Sequence, residues 1–310
     1  MARTAVAALN PDDAPVLPVQ RQRALWVQDR DGAPPRPLCA ASGLVLWGSR
    51  AFVVADDQLQ LARFDLDAPT APGRTSPLFD GALPDAPAAR KAAKPDVESL
   101  LHLPPSAAPP HGALLALGSG SRPTRFRGAQ VALGPAGDPQ GPPQAIDLHP
   151  WFDPWMPGVR EPNVEGAFLL GQQLVLLQRR NGRAGTNATV TWAWPPVPGS
   201  APGVQLWDLG TLAGVPLGFT DGCALPDGGW LFSAAAEDTD DAYQDGRCTG
   251  SVLGRVGPDG ALQALWRLSL TAKVEGVAVQ AQGAGWRVWM VTDADDPTQA
   301  AALLTVDLPG

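Results

Sequence analysis

Five oxygen-bearing side chains recur along the chain in one local pattern, and together they could form a cation site. Each precedes a small residue and then an apolar segment: Ser42, Glu98, Glu165, Asp221 and Glu275. Hydroxyl and carboxylate oxygens are the ligands that Ca²⁺ and Mg²⁺ prefer, whereas Zn²⁺ sites rely mainly on histidine and cysteine. This set, the predicted axial ring, therefore favours Ca²⁺, with Mg²⁺ as the alternative.

The spacing of the ring residues predicts the elements that position them. Consecutive members lie between 54 and 67 residues apart, a period typical of propeller blades with generous loops. Each is followed by short apolar segments separated by Gly, Pro or Asp turns, as in a meander of about four strands. Residues at the same point of the innermost strands meet around the axis. The pattern predicts an all-β, five-bladed β-propeller, with a six-bladed ring as the alternative.

The two ends of the sequence predict how the ring closes. After Glu275 there is room for only three strands before Gly310. The segment Arg23–Gln28 would supply the missing outer strand, so that first and last blades join without an open edge. We therefore expect a single propeller domain over residues 1–310, in which residues 1–20 form an irregular N-terminal arm.

The charge of the predicted ring needs a partner, and two kinds are available. Four carboxylates around a narrow axis raise one another's pKa unless a metal ion or a basic side chain neutralises them. Two of the three lysines, Lys94 and Lys273, lie four and two residues before a ring glutamate. The sequence leaves both a metal site and a ring of internal ion pairs open.

Strand order places further polar residues at the same mouth as the ring. In an antiparallel meander the second strand ends where the first begins, so the clusters beginning at Asp56 and Glu237 should face the axis. We expect Glu237 and Asp293 to transfer protons, and an arginine and lysine patch to bind an anion. The residues of that patch are Arg122, Arg125, Arg179, Lys94 and Lys273.

Composition excludes several classes of function. A net charge of −8 and a pI of about 4.8 argue against nucleic-acid binding, which needs a basic surface. The three cysteines, Cys39, Cys223 and Cys248, form no CxxC pattern, so neither zinc nor a disulfide framework is indicated. No apolar run approaches 18 residues and the N-terminus lacks a signal peptide's apolar core. We expect a cytoplasmic protein that binds a small anionic molecule, and neither nucleic acid nor a membrane.

Several segments together resemble a bacterial family of uncharacterised propeller-like proteins. The resemblance runs from about residue 40 to the C-terminus and implies the fold without an activity. The segments that carry it are Lys94–Glu98, Gly118–Arg122, Asn163–Gly166, Gly218–Gly222, Ala236–Tyr243, Lys273–Gly276 and Val291–Pro297.

The order Ser, Glu, Glu, Asp, Glu, one residue in each blade, is similar to the soluble calcium-activated nucleotidase (apyrase) family. That resemblance implies Ca²⁺ in the central channel, held by Ser42, Glu98, Glu165 and Glu275, and hydrolysis of nucleoside di- or triphosphates. Asp221 stands where that family has serine. Phytase-like and lactonase-type propellers also use axial calcium.

These features together predict a calcium-binding propeller that hydrolyses a phosphate-bearing small molecule. One alternative is a non-catalytic ligand- or protein-binding propeller with a structural central ion. Another is a lactonase, or a glycosidase with paired carboxylates in an open cleft.

Overall fold

The computed structural model describes residues 3–6, 9–159, 161–180, 185–197, 199–238, 246–294 and 296–309. Within these ranges the chain forms five sheets, each of four to six strands, arranged as the blades of a propeller. The predicted all-β, five-bladed fold is confirmed. Residues 239–243 and Asp295, which belong to two of the segments quoted above, lie outside the described residues.

Short strands near the N-terminus precede the first blade. They are β1 (Arg3–Val6), β2 (Val16–Leu17), β3 (Gln20–Ala24), β4 (Trp26–Gln28) and β5 (Arg36–Pro37). A 3₁₀ turn, Pro11–Asp13, begins at Asn10, whose side chain accepts a hydrogen bond from the Asp12 amide.

Each blade is a meander whose first long strand is innermost. Blade 1 contains β6 (Ala41–Trp47), β7 (Arg50–Ala55), β8 (Gln60–Asp65) and β9 (Gly73–Pro77). Blade 2 contains β10 (Val97–Leu103), β11 (Ala113–Gly118), β12 (Arg127–Leu133) and β13 (Pro139–Asp147). Blade 3 contains β14 (Val164–Leu170), β15 (Gln173–Gln178), β16 (Asn187–Ala193) and β17 (Gly203–Trp207).

The last two blades are built in the same way. Blade 4 contains the short β18 (Thr211–Leu212), then β19 (Val215–Ala224), β20 (Trp230–Asp238), β21 (Arg247–Val256) and β22 (Leu262–Leu268). Blade 5 contains β23 (Lys273–Gln282), β24 (Gly285–Asp293) and β25 (Ala302–Pro309). The innermost strands β6, β10, β14, β19 and β23 contact one another in that order, and β23 contacts β6 to close the circle.

Helices are few and short among the described residues. The α-helices are α1 (Pro87–Ala93), between blades 1 and 2, and α2 (His149–Phe152), between blades 2 and 3. Two further 3₁₀ turns span Pro123–Arg125 and Met156–Gly158. None of the helices in the described part of the chain has the length and apolar character needed to cross a membrane.

The ring closes as predicted, by an N-terminal strand that completes blade 5, but this strand begins at Gln20 and ends at Ala24. β3 pairs antiparallel with β25 and completes blade 5, whereas β4 runs parallel to β9 on the outside of blade 1. The predicted segment Arg23–Gln28 is thus divided between two blades. Leu25 lies at the division, fully buried, and its backbone bonds to Ala301 and Leu38 hold it there.

The N-terminal strands form a belt around the outside of the propeller. β1 lies parallel to β17 of blade 3, and β2 lies parallel to β22 of blade 4. β3 and β4 then continue the path to blades 5 and 1. This belt, made of the strands β1 to β4, therefore ties four of the five blades together.

The hydrophobic core consists of five clusters, and each lies between neighbouring blades. The cluster between blades 3 and 4 is the most aromatic. Its rings of Trp207 and Trp230 lie 5.5 Å apart, and those of Phe219 and Phe232 lie 5.1 Å apart, both edge to face. Because apolar surface is buried between blades, no blade can bury its faces alone.

Arg23 of β3 links the closing strand to blade 1. Its guanidinium donates hydrogen bonds to the carbonyls of Asp65 and Ala68, 3.4 and 3.3 Å away, and to that of Ala71, and it lies over the Phe64 ring. The side chain is buried, so its removal would leave these carbonyls without their partner.

Arg23→Ala should therefore lower the free energy of unfolding by about 1.5–3 kcal/mol. The matched control is Arg21→Ala, because Arg21 is exposed on the same strand. Urea denaturation of both variants measures the difference. Equal stability of the two variants would show that Arg23 does not brace the closure.

Candidate functional site

A β-bulge lies on the innermost strand of every blade. At one point the pairing with the second strand skips a residue: Ser42, Glu98, Glu165, Thr220 and Glu275. A bulge bends the strand locally and redirects the side chain of the extra residue. Four of the five bulged residues belong to the predicted axial ring, so in these blades the ring follows from the backbone geometry.

Asp221 differs from the other predicted ring residues because it lies one residue beyond its bulge. The bulged residue of blade 4 is Thr220, whose hydroxyl is fully buried and donates to Ser233 Oγ at 2.8 Å. Asp221 Oδ2 instead accepts the backbone N–H of Val277 at 2.8 Å and so joins β19 to β23. Burial raises the pKa of Asp221 well above its ordinary value.

Asp221 points away from the axis because it occupies the position immediately after the bulge. In blade 3 this position is Gly166, where an added Cβ would lie 2.8 Å from the Cα of Asp221. In blade 1 it is Gly43, where an added Cβ would lie 2.9 Å from the backbone N of Leu100. This position packs against the neighbouring innermost strand, so a side chain there points toward the next blade.

A cavity of about 810 Å³ opens at the end of the axis where the innermost strands begin. It is lined by Ser42, Glu98, Glu165 and Glu275, together with polar residues that follow the second strands. Its described lining includes twelve carboxylate side chains and eight lysine or arginine side chains. The mouth is therefore highly charged, with an excess of negative groups.

One half of the cavity, from blades 1 and 2, holds three carboxylates that we call the acidic triad: Asp56, Asp96 and Glu98. One oxygen from each lies within 4.8 Å of the others, close enough to hold a metal ion. Asp56 follows β7, and Asp96 adopts a left-handed backbone (φ 55°) just before β10. Aspartate tolerates this conformation better than most residues.

Basic and hydroxyl groups surround the triad. Lys94 Nζ contacts Asp56 Oδ2 and lies 2.9 Å from Asp96 Oδ1. The other oxygen of Asp96, Oδ2, accepts hydrogen bonds from Arg125 at 2.7 Å and from Ser119. Burial raises the pKa of Asp56 to about 7, and it raises the pKa of Glu98 well above its ordinary value, aided by the charge of Glu165.

The other half of the cavity, from blades 3 to 5, is an ion-pair network around two cations. Arg179 lies 3.2 Å from Glu165, 3.5 Å from Glu275 and 2.5 Å from Glu237. Lys273 lies 2.9 Å from Glu275, 3.6 Å from Asp293 and 3.9 Å from Glu237. Lys273 therefore pairs with a ring glutamate, as the ion-pair alternative predicts.

The residues expected to transfer protons both line the cavity within this network. Glu237 accepts the Gly246 backbone N–H at 2.8 Å through Oε1 and contacts Arg179 through Oε2. Asp293 ends β24 and faces Lys273. In the described residues, Glu275 Oε2 is buried and has no hydrogen-bond partner.

The predicted anion-binding arginines are separated by the structure. Arg125 and Arg179 are buried and line the axial cavity. Arg122 is exposed and lies instead in a second, shallower pocket of about 480 Å³ with Phe126 and Met156. Arg122 precedes the 3₁₀ turn Pro123–Arg125 and Arg125 ends it, so the turn directs these two side chains to different surfaces.

Sequence reasoning placed Asp56 at this mouth but did not select it or Asp96 as metal ligands. The triad brings together the end of β7 and the segment before β10, which are far apart in sequence. Part of the triad could be recognised from the local sequence, because Asp96 and Glu98 are two residues apart and follow Lys94 closely.

A protein family described as a family of unknown function (DUF6910) matches residues 90–297. The chain belongs to this family. The predicted resemblance to an uncharacterised propeller family is thereby confirmed. A search of curated proteins finds no match.

Solved structures similar to the chain share little sequence with it. A gluconolactonase from Xanthomonas campestris has a TM-score of 0.42 and 12% identity over 99% of each chain. A DUF4221 family member from Bacteroides vulgatus has a TM-score of 0.41 and 9% identity, over 94% of this chain and 97% of that one. A streptogramin B lyase has a TM-score of 0.39 and 9% identity, over 98% and 96%.

The network makes stability depend on pH through Glu275. Burial raises the pKa of Glu275 from 4.5 to about 8, although Lys273 opposes the shift. The folded protein therefore binds this proton more tightly than the unfolded chain, and stability is lost as the pH rises toward 8. Glu275→Gln should reduce the fall in unfolding free energy between pH 5 and pH 8 by at least about 1.4 kcal/mol, the equivalent of one pKa unit.

Denaturant titrations in EDTA at several pH values test this. Asp307→Asn is the control, because hydrogen bonds from Arg287 lower the pKa of the exposed Asp307 and keep it ionised throughout this range. Parallel pH profiles for Glu275→Gln and the unsubstituted protein would contradict the prediction.

Proposed function

We propose that the axial cavity is the active site of a calcium-dependent hydrolase that acts on a small phosphate-bearing molecule. The observation that carries the proposal is the acidic triad, whose three carboxylates converge within 4.8 Å at the wall of an open cavity of about 810 Å³. A cavity of this size fits a small molecule. An ion at its wall would be accessible to such a ligand.

The donor set of the triad suits a hard divalent cation. Asp56, Asp96 and Glu98 offer only oxygen atoms, and Ca²⁺ takes six to eight oxygen ligands, including waters. When ionised, these three carboxylates carry three negative charges against the two positive charges of Lys94 and Arg125, and this excess attracts a cation. Ca²⁺ is preferred over Mg²⁺ because such a set of side chains tolerates irregular coordination, whereas Mg²⁺ requires near-octahedral geometry.

The chain's own residues supply the other requirements of hydrolysis. A bound cation would polarise a phosphoryl oxygen and orient a water molecule. Asp293 and Glu237 lie in the cavity as the proposed proton-transfer groups, and Lys94, Arg125, Arg179 and Lys273 provide positive charge for an anionic substrate. Arg122 does not line this cavity, so we do not assign it to substrate binding there.

Nucleoside di- and triphosphates are the first substrates to test. The bulged residues Ser42, Glu98, Glu165 and Glu275 preserve the order that resembles the calcium-activated nucleotidases. In this proposal the cation lies on the triad, at one side of the axis, and the other glutamates belong to the ion-pair network.

A non-catalytic binding propeller is the second candidate, and one observation favours it. Arg179 contacts three carboxylates and Lys273 contacts three, so both cations already have internal partners. Such a network can brace the five blades around the axis without taking part in a reaction.

Calcium should raise the melting temperature of the EDTA-treated protein by about 2–5 °C at saturating concentration. Asp56→Asn and Glu98→Gln should each remove this increase because they remove a triad oxygen. Glu165→Gln should keep it, since Glu165 pairs with Arg179 outside the triad. Differential scanning fluorimetry with and without Ca²⁺ measures the shift within each variant.

The reverse result would place the ion on the predicted axial ring: loss of the shift in Glu165→Gln with retention in Asp56→Asn. No shift in the unsubstituted protein, confirmed by isothermal titration calorimetry, would contradict a calcium site.

Hydrolysis should depend on Ca²⁺ and on the triad. From a panel of nucleotides and sugar phosphates, we expect phosphate release that EDTA abolishes and that Asp56→Asn lowers by about a hundredfold or more. Lactones, followed by acid release, test the lactonase alternative. Asp307→Asn, on β25 of blade 5 and outside the lining of the axial cavity, is the matched acidic control and should keep full activity. Calcium binding without turnover of any compound would favour the non-catalytic candidate.

A further inference from the structure

We infer that the ammonium group of Lys94 is an internal substitute for the divalent cation, and that a cation enters the acidic triad by displacing it. This inference rests on the proposed cation site and adds how that site is filled in the protein without an ion. Lys94 thereby becomes the residue that sets the threshold for cation binding.

The contacts of Lys94 fall on the oxygens that a cation would use. Its Nζ contacts Asp56 Oδ2 and lies 2.9 Å from Asp96 Oδ1. The second oxygen of Asp96 is held by Arg125 and Ser119, so Oδ1 is the oxygen of this residue that remains for an ion. The ammonium ion and the divalent cation therefore compete for Asp96 Oδ1 and for the carboxylate of Asp56.

Charge gives the direction of the exchange. When all three triad carboxylates are ionised, the state that cation binding favours, Lys94 and Arg125 leave one negative charge uncompensated. A divalent ion in place of the ammonium group would balance it, and would accept more oxygen ligands than the three N–H donors of lysine can serve. The exchange thus becomes favourable once enough cation is present.

The side chain of Lys94 can leave without disrupting the fold. Lys94 follows α1, and its backbone N–H bonds to Arg90 O at 2.8 Å, which fixes the main chain. The side chain lines the cavity and has a flexible four-carbon stem, so the ammonium group can move into the cavity. Once there, its positive charge would attract the anionic part of a substrate.

Amine labelling of the unsubstituted protein tests the displacement directly. The chain has three lysines, and Lys94 and Lys273 are matched in burial, with side chains 12% and 11% exposed. Saturating Ca²⁺ should raise the acetylation rate of Lys94 on the order of tenfold. The rates at Lys273 and Lys91, followed by mass spectrometry in the same sample, should stay unchanged.

Calorimetry of two variants provides the second measurement. Lys94→Met removes the competing ammonium group and should tighten Ca²⁺ binding on the order of tenfold. Lys273→Met removes an equally buried positive charge that contacts Glu275, Asp293 and Glu237 but leaves the triad's own contacts intact. Lys273→Met should tighten Ca²⁺ binding much less, since it removes only the long-range repulsion between the Lys273 ammonium group and the ion. If Lys94→Met binds Ca²⁺ and the unsubstituted protein does not, this result would also support the inference.

Two results would overturn the inference in different ways. If Ca²⁺ binds but leaves Lys94 labelling unchanged, and both variants bind with the affinity of the unsubstituted protein, the exchange is wrong while the proposed site stands. If neither the unsubstituted protein nor Lys94→Met binds Ca²⁺, the proposed site and the exchange fail together. Labelling needs no variant, so a misfolded Lys94→Met would not prevent the decision.

Discussion

Burial of many carboxylates around one axis is the constraint on which the arrangement of this propeller depends. Ionised carboxylates cannot be removed from water at close range without counter-charges. Arg179 and Lys273 supply them for blades 3 to 5, and Lys94 and Arg125 supply them for blades 1 and 2. Arg179, Lys273 and Lys94 each join carboxylates from different segments of the chain, so the charges that make the centre costly also connect its parts.

The bulges explain how a regular meander can present such a centre. An undistorted strand alternates its side chains between the two neighbouring blades. The extra residue at each bulge turns a polar side chain out of that alternation, and the next position is free to pack against the adjacent innermost strand. Ser42 has both roles: it lines the cavity, and its hydroxyl donates a hydrogen bond to the carbonyl of Val97 in the next blade. Polar lining and blade contact thus come from one local distortion.

The parts of this design that repeat could be predicted from sequence, and the parts that depend on register could not. The recurring Val-Glu pairs at Glu98, Glu165 and Glu275 indicated the repeat of the blades, whereas the bulge at each of these glutamates is seen only in the strand pairing. Asp221 lies one residue beyond the bulge of blade 4, because the pairing that makes Thr220 the bulge involves Ser233, beyond the local pattern. The acidic triad was incomplete because it depends on the left-handed backbone at Asp96 and on the approach of two blades.

The N-terminal belt has a consequence for the order of events during synthesis. A ribosome makes β2 and β3 before any blade, yet their partners β22 and β25 are among the last strands to emerge. Gln22 and Thr305, whose side chains bond at 2.7 Å, are 283 residues apart. Such distant pairing is slow because a long loop must close first. The emerging chain can form the strand pairs within each blade one blade after another. The pairing of the belt is complete only after β25 has been translated, because β25 is the partner of β3.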